Sequence, residues 1–234
     1  MDPTQEHLNR FYLLLQQLHN ATGSRMLADC NHNSGWPSRG VYFFFEPGET
    51  RPTGELRVVR VGTHAVSDGS KATLWQRLSQ HKGASKTGGG NHRGSIFRRH
   101  VGSALLNAGR ILPPTGSAWG QGSNAPKPIR EAELPIERAV SEYIRAMPML
   151  WIEADDEPSK HSIRAQIERH SIALLSQTYA GSAYEPSSAD WLGQHATNAV
   201  VSSSGLWNVR AVGNRYDPEF LDLLEQAIKR TVQR

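Results

Sequence analysis

Cysteine is nearly absent from this chain of 234 residues, which contains only Cys30. A single cysteine excludes an internal disulfide and a zinc site built from several thiolates. We expect Cys30 to be a small buried apolar side chain rather than a nucleophile. No hydrophobic run approaches the roughly 20 residues that span a bilayer, and the start "MDPTQEHLNR" lacks the basic-then-apolar order of a signal peptide. These absences predict a cytoplasmic protein without a membrane segment.

Acidic residues are missing from one long stretch, although the net charge of the whole chain is only +4. No Asp or Glu occurs between Lys71 and Arg110, and the carboxylates gather later, in "REAELPIER" and "EADDEPS". The stretch carries eight cations: Lys71, Arg77, Lys82, Lys86, Arg93, Arg98, Arg99 and Arg110. A basic, glycine-rich segment suits a polyanion such as nucleic acid. A solvated basic face is the alternative.

Hydrophobic periodicity predicts a mixture of helices and strands. Val41–Phe45 and Leu56–Val61 are β-branched or aromatic runs, and the turn formers of "EPGETRPTGE" join them into a hairpin. "MLWIEA" is a third predicted strand. Apolar residues at helical spacing predict helices at 5–20, in "KATLWQRLSQHK", at 96–107, in "PIERAVSEYIRAM", in "SIRAQIERHSIALLSQ" and from Pro218 onward.

The order of these elements favours one α+β domain over two independent ones. A strand hairpin, a helix, a long basic insertion (83–99), a helix, a strand and a helix follow one another in a core of about 38–178. The N-terminal helix at 5–20 precedes this core, and a C-terminal extension at 179–234 follows it. We therefore predict a single domain over 1–234.

Four side chains near the hairpin can converge on one anionic centre. Tyr42 lies one position into the first strand and Arg60 near the end of its antiparallel partner, so they can share one face of the sheet. Arg77 and His81 are spaced i and i+4 and share one face of the next helix. Glycines at 40 and 62 bracket the strands and permit an unusual φ or a close approach of backbone and substrate.

These residues resemble the core of the GIY-YIG nuclease family. Gly-Val-Tyr at 40–42 and Arg-Val-Gly at 60–62 stand where the two family motifs stand, and the following helix carries Arg77. Hairpin, arginine helix, third strand and glutamate-bearing helix also occur in the family's order. The resemblance covers about 40–176 and implies a small antiparallel three-stranded sheet flanked by helices, with the basic insertion and both terminal extensions added to it.

The resemblance implies hydrolysis of phosphodiester bonds with one divalent metal, Mg²⁺ or Mn²⁺, held by a single glutamate. Glu168, on the helix after the third strand, is the natural candidate, and Glu137 and Glu142 are its rivals. Tyr42 takes the place of the first-motif tyrosine, and His81 matches a histidine found in restriction-enzyme-like members.

Two positions depart from the family pattern. Arg60 stands where the second motif has its tyrosine, so a phenol is lost there, although some restriction-enzyme-like relatives also have a basic residue. The late asparagine of the family has one candidate here, Asn208 in "SGLWN".

Elementary chemistry supports the same roles. The planar fork of Arg77 can hold two phosphate oxygens, which lysine cannot imitate. Mg²⁺ keeps most of its waters, so Glu168 suffices as its protein ligand. Tyr42 is a poor base at a free pKa of about 10, and Arg60, His81 or the metal site would have to lower that pKa or leave Tyr42 as an orienting group.

The insertion offers candidate phosphate contacts. These DNA-binding candidates are Lys82, Lys86, Arg93, Arg98 and Arg99, and a purely structural loop is the alternative. His92 and His100 have no partner carboxylate at metal-ligand spacing. Of the six tryptophans, only Trp119 is a candidate stacking platform, because it lies in a glycine-rich loop.

Three functions follow from this sequence. The first is a metal-dependent DNA endonuclease, for which a homodimer is expected if both strands of a duplex are cut. The second is a nucleic-acid-binding module that kept the fold and lost the chemistry through the change at Arg60. The third is a protein whose basic loop contacts an acidic partner protein.

Overall fold

An antiparallel sheet of four strands organises the chain in the computed structural model, which describes residues 2–178 and 184–233. The strands lie in the order β1-β4-β2-β3, and every neighbouring pair is antiparallel. Their bounds are Arg25–Met26 for β1, Gly40–Thr50 for β2, Leu56–Gly62 for β3 and Pro148–Glu153 for β4.

The α+β class and the antiparallel sheet are confirmed, but the expected count of three strands is wrong. The additional strand β1 has two residues, which pair as Arg25 with Met149 and Met26 with Pro148. Two residues are too few to show an alternating pattern in a sequence. The first residues of the predicted C-terminal extension, 179–183, lie outside the described residues.

Helices cover both faces of this sheet. None of those in the described ranges combines the length and the apolar character needed to cross a bilayer. Their bounds are α1 Pro3–Thr22, α2 Leu74–Lys82, α3 Ile96–Asn107, α4 Lys127–Ala132, α5 Leu134–Arg145, α6 Ile163–Leu175, α7 Ala199–Ser204 and α8 Phe220–Val232.

The period of two along β2 divides the core into two layers. Val41 and Phe43 are fully buried against α1, α6 and α8. Tyr42 and Phe44 are buried in the other layer, which α2, α3 and α5 contribute. The strand β3 follows the same division, since Arg60 and Gly62 pair with Phe44 and Tyr42 and so share their face. The sheet thereby places the first tyrosine and the arginine of the second motif on one side.

The glycines that bracket the hairpin are needed because other atoms pack closely against them. A left-handed backbone conformation is not the reason, since neither glycine has a positive φ. A Cβ on Gly40 would overlap the carbonyl oxygen of Ile152 on β4. A Cβ on Gly62 would overlap the hydroxyl and the ring of Tyr42. The phenol of Tyr42 therefore occupies the space that a side chain at 62 would take.

Gly62→Ala tests this packing. The added methyl group should destabilise the fold by about 1–3 kcal/mol, because the ring of Tyr42 must shift within a closely packed layer. The free energy of unfolding from urea titration measures this cost. Gly94→Ala is the matched control, since a Cβ there meets no atom within 4 Å.

The double variant Gly62→Ala with Tyr42→Ala completes a thermodynamic cycle. We expect it to be less destabilised than the sum of the single variants, because the new methyl group fills space that the phenol has left. Equal costs for Gly62→Ala and Gly94→Ala would contradict the assigned packing.

Candidate active site

Tyr42 lies at the centre of a buried polar group in the layer of α2 and α3. Its side chain is fully buried, and its hydroxyl oxygen is 2.8 Å from Nε2 of His81. The ring of Tyr42 also meets the imidazole edge-on, with 5.6 Å between ring centroids. The first-motif tyrosine and the helix histidine are therefore direct partners.

The helix α2 holds His81 in place through its own sequence. Thr73 caps the start of the helix, and Gln76 returns a bond to the backbone of Thr73 in a capping box. His81 lies two turns later, and its Nδ1 is 2.8 Å from the hydroxyl oxygen of Ser95. Burial lowers the pKa of His81 well below its ordinary value, and the nearby Arg77, with further arginines, lowers it further. The imidazole is thus neutral near pH 7.

Arg60 is buried beside Tyr42, and its guanidinium has more than one partner. Its Nη1 donates to the carbonyl of Trp207 at 2.9 Å, and its Cζ lies 4.7 Å from the centroid of the Phe97 ring. Burial lowers the pKa of Arg60, whereas the adjacent Tyr42 and Glu168 oppose that change. A cation at this position therefore acts on both the phenol and the carboxylate.

Glu168 lies at the end of β3, where the hairpin meets α6. The amide of Thr63 donates to its Oε1 at 3.0 Å, and the hydroxyl of Thr63 donates to the carbonyl of Gly40 at 2.7 Å. Thr63 thus connects the start of β2 with the carboxylate. Burial raises the pKa of Glu168, and Arg60, the Thr63 amide and Arg77 oppose this change.

Arg77 lies on α2 beside an open cleft. Its half-buried side chain donates to Oε1 of Gln80 at 3.0 Å and to the carbonyl of Gly94 at 3.4 Å. The cleft has a volume of about 600 Å³ and includes Thr63, His64 and Gln76 in its lining. Arg77 therefore places a positive charge on the lining of a cleft that begins at the end of β3.

Asn208 has a role that its sequence did not indicate. Its amide group pairs with the backbone of Val61, accepting from the nitrogen at 3.1 Å and donating to the oxygen at 2.8 Å. The neighbouring amide of Trp207 donates to Val59 at 2.8 Å. Asn208 thereby fixes the edge of β3 immediately before Gly62. Whether it also acts in catalysis stays a prediction.

The two rivals of Glu168 lie elsewhere. Glu137 is buried on α5 in an ion pair with Arg98, with 2.5 Å between the Arg98 Nη2 and the carboxylate Oε2. Burial raises the pKa of Glu137, but its contacts with His92 and Arg98 outweigh that effect and leave the pKa lowered. Glu142 is exposed on the same helix. Neither carboxylate lies beside Tyr42 at the end of β3.

The expectation that Arg98 contacts phosphate is wrong in this structure. Its side chain is fully buried, and each guanidinium nitrogen has a partner. Nε and Nη2 bind the carboxylate of Glu137, Nη1 donates to the carbonyl of His81 at 2.8 Å, and Nη2 also reaches Ser141. Arg98 therefore joins α3 and α5 to the end of α2.

The other four candidates of the insertion divide into two pairs. Arg93 forms a bidentate ion pair with Glu133 at 2.6 and 2.9 Å and leaves only 4% of its side chain exposed, which corrects its assignment as a phosphate contact. The ammonium of Lys82 donates to the backbone carbonyls of Ala28 and Cys30. Lys86 and Arg99 are exposed, and their contact with DNA stays a prediction.

Three other candidate residues, two histidines and a tryptophan, are packed into the structure. His92 is buried and lies 3.0 Å from Oε1 of Glu137 through its Nδ1. Trp119 stacks on that imidazole at 3.8 Å between centroids and packs against Gly102, so it is a loop anchor rather than a free platform. His100 is buried, and burial lowers its pKa to about 4.

Sequence reasoning missed two residues at this site. Ser95, the bonding partner of His81, resembles any helix N-cap in a sequence. His64 lines the cleft with 6% of its surface exposed, its Nε2 lies 3.3 Å from the Ser38 carbonyl, and burial lowers its pKa to about 4. The position of His64, two residues after the second motif, was its only signal.

The loop that carries His64 is held in a strained conformation. Ala65 has a φ of 52°, which side chains rarely adopt. Its carbonyl accepts from Nη2 of the fully buried Arg164 at 2.8 Å. Such strain persists only where neighbouring bonds impose it, and it is frequent beside functional clefts.

The donor set at the end of β3 fits a hard divalent cation. Oε2 of Glu168 accepts no hydrogen bond from the described residues, so one carboxylate oxygen is left for a metal ion. Across those residues, no three His, Cys, Asp or Glu side chains lie close enough to share an ion. One carboxylate oxygen suits an ion that keeps several waters, such as Mg²⁺.

The comparison with known families agrees with this geometry. The family model described as "GIY-YIG domain" matches residues 2–234. No curated protein and no solved structure matches the chain significantly. The resemblance first seen at 40–42 and 60–62 is therefore confirmed over nearly the whole length. The chain belongs to the GIY-YIG domain family, whose members are generally nucleases.

Proposed function

We propose that this protein is a metal-dependent endonuclease that hydrolyses phosphodiester bonds in DNA. The observation that carries the proposal is the meeting of Tyr42, Arg60, His81 and Glu168 around the end of β3. Hydrolysis forms one bond from phosphorus to a water oxygen, breaks one bond to a backbone oxygen, and returns a proton to the departing oxygen. The site must therefore hold a phosphate, stabilise added negative charge and handle protons.

Arginines supply the charge for the phosphate. Arg77 lines the cleft and is free to turn its fork to a phosphate, because its present partners are one amide side chain and one carbonyl. Arg60 is fixed by the Trp207 carbonyl and contributes its charge beside Tyr42 and Glu168. A preorganised cation is effective because it needs no rearrangement when charge develops.

Glu168 would hold Mg²⁺ or Mn²⁺ through its open Oε2. Such an ion, when bound, polarises a phosphoryl oxygen and lowers the pKa of water. The Thr63 amide fixes the rotamer of Glu168 through Oε1 at 3.0 Å, so the second oxygen keeps its direction. Because burial raises the pKa of this carboxyl group, protons compete with the metal more strongly than at an exposed glutamate.

The alternative function is a nucleic-acid-binding module without catalysis. Arg60 favours it, because a buried cation bound to the Trp207 carbonyl replaces the phenol of the second motif. Purified protein incubated with duplex, branched and single-stranded DNA, with Mg²⁺, Mn²⁺ or chelator, distinguishes the two functions. Binding without metal-dependent cutting of any substrate would favour the module. A homodimer and a cytoplasmic location belong to the same proposal.

Glu168→Gln should abolish cleavage and leave DNA binding intact. The amide keeps the shape of the side chain but removes the charge that attracts the metal, and losing several kcal/mol of charge stabilisation lowers the rate at least about 10²-fold. Single-turnover cleavage at several metal concentrations measures the effect. Glu142→Gln, at the exposed rival on α5, is the control; normal cutting by Glu168→Gln with loss in Glu142→Gln would show that the ligand is misassigned.

Arg77→Lys should be nearly as inactive as Arg77→Ala. Lysine keeps the charge but loses the bidentate fork, and the loss of one preorganised donor costs about 10²–10³ in rate. Both variants should fold, because Arg77 is half-buried at the rim of the cleft. Single-turnover rates and circular dichroism melts are compared with those of Arg130→Ala, an exposed arginine on α4. Near-normal cutting by Arg77→Ala would refute the catalytic site.

Lys86 and Arg99 should contribute affinity for DNA of any sequence. Each phosphate contact adds about 0.9 to the slope of log affinity against log salt, so the double alanine variant should flatten the slope by up to about 1.8. Lys229→Ala with Arg230→Ala is the matched control, because these exposed cations lie on α8 across the sheet. An unchanged slope in the first double variant would exclude the insertion from the interface.

A further inference from the structure

Three buried polar groups form a continuous chain beneath the candidate site. The hydroxyl oxygen of Tyr42 is 2.8 Å from Nε2 of His81, and Nδ1 of His81 is 2.8 Å from the hydroxyl oxygen of Ser95. None of the three side chains belongs to a residue more than 1% exposed. Bulk solvent therefore does not reach them in the free protein, and their hydrogens must be shared within the protein or passed to a molecule that binds beside them.

Tyr42, His81 and Ser95 carry one more polar hydrogen than the two hydrogen bonds between them use. A neutral imidazole carries one N–H, and each hydroxyl carries one O–H, which makes three hydrogens for two bonds. The third hydrogen must leave the chain at one end. Two arrangements are therefore possible, and they differ in which nitrogen of His81 is protonated.

His81 is neutral in this count because of the charges that surround it. Arg77 on α2, Arg60 on β3 and Arg98 on α3 all act on the imidazole, and the phenol of Tyr42 on β2 is its fourth neighbour. Burial and these cations lower its pKa well below the ordinary value. Burial and the three arginines therefore all disfavour a second proton on the imidazole of His81.

At the Ser95 end of this hydrogen-bond chain, the surplus hydrogen has no acceptor. The oxygen of Ser95 caps α3 by accepting from the amide of Arg98 at 3.3 Å. Within residues 2–178 and 184–233, Nδ1 of His81 is the one acceptor in reach of the Ser95 hydroxyl. If His81 donated to Ser95, the hydroxyl hydrogen of Ser95 would be buried without a partner, at a cost of about 1–3 kcal/mol.

At the Tyr42 end of this hydrogen-bond chain, a bound ligand would supply the missing acceptor. The phenol rests on Gly62, and the next residue, Thr63, holds the carboxylate of Glu168 and lines the cleft. Tyr42 is itself buried and does not line the cleft, so its hydroxyl hydrogen has an acceptor only when a substrate oxygen binds against Gly62 and Thr63. In that complex the surplus hydrogen is accepted at Tyr42, whereas among the described residues Ser95 has no acceptor besides His81.

We propose that Ser95 is a positioning residue for the proposed phosphodiester hydrolysis, because its hydroxyl donates to Nδ1 of His81 and so fixes the tautomer with hydrogen on Nε2. His81 then donates to the oxygen of Tyr42. The hydroxyl hydrogen of Tyr42 is left for an oxygen of the bound phosphodiester. This inference rests on the proposed function, and it assigns His81 as the donor to the phenol rather than the acceptor from it.

The tautomer can be observed directly. Nitrogen-15 spectra of the uniformly labelled full chain distinguish a protonated Nε2 from a protonated Nδ1, and His81→Gln identifies the signals of His81 among ten histidines. We expect hydrogen on Nε2 in the unmodified protein. Hydrogen on Nδ1 would overturn the proposal whether or not the protein cuts DNA.

Ser95→Asp reverses the direction of the chain while it keeps the bonds. An aspartate caps a helix as well as serine does, but it can only accept from His81. We expect the signal to move to protonated Nδ1 and the single-turnover rate to fall at least about 10²-fold, since a reversed tautomer costs up to about 10⁴-fold in the serine-protease triad. An unchanged rate with a reversed tautomer would overturn the role of Ser95.

Two further variants separate this role from helix capping. Ser95→Thr keeps the hydroxyl and should stay within about threefold of the unmodified rate, whereas Ser95→Ala should fall as far as the aspartate variant. Ser162→Ala removes an equivalent cap, the 3.2 Å bond to Ala165 that starts α6, and should keep its rate. Equal losses in Ser95→Ala and Ser162→Ala would overturn the proposal. Absence of cutting in the unmodified protein refutes the proposed function, and the nitrogen signals still test the tautomer.

Discussion

The pairing of Tyr42 with Gly62 across β2 and β3 is the constraint on which the rest of the site depends. A residue without a side chain on one strand lets the phenol on the other lie flat along the sheet. That placement brings the hydroxyl to His81 on α2 and leaves Thr63, the next residue, to hold Glu168. Strand register thus fixes the positions of side chains from four elements, since the period of two admits only one choice of face.

Buried ion pairs hold the helices that carry these side chains. The pair of Arg98 with Glu137 joins α3 to α5, and Arg98 also donates to the carbonyl of His81. Arg164, which pairs with Asp156, donates to the carbonyl of Ala65. Breaking such a pair leaves an uncompensated charge in the interior, which costs more than the pair contributes to stability. These arginines thus serve the geometry of the site without touching a substrate.

The hairpin, the six longer helices and most of the candidate site could be predicted from the sequence, because each rests on short-range patterns. The six-residue helices α4 and α7 were not predicted, since so short a segment shows little periodicity. Alternation placed Tyr42 and Arg60 on one face, and a spacing of four placed His81 one turn after Arg77. The two-residue strand β1 could not be predicted, since its pairing with β4 joins residues more than 120 positions apart along the chain. Composition also misjudged Arg93 and Arg98, because their partners Glu133 and Glu137 lie outside the acid-free stretch.

The pairing of Asn208 with Val61 has a consequence for solubility. The strand β3 is at the edge of the sheet, and an exposed edge offers unpaired amides and carbonyls to other chains. Trp207 binds the backbone of Val59, and the side chain of Asn208 satisfies both polar groups of Val61. The segment after α7 thereby occupies part of the β3 edge and disfavours its pairing with a strand of another molecule. A chain cut after α6 would retain Tyr42, Arg60, Arg77, His81 and Glu168 and lose that protection.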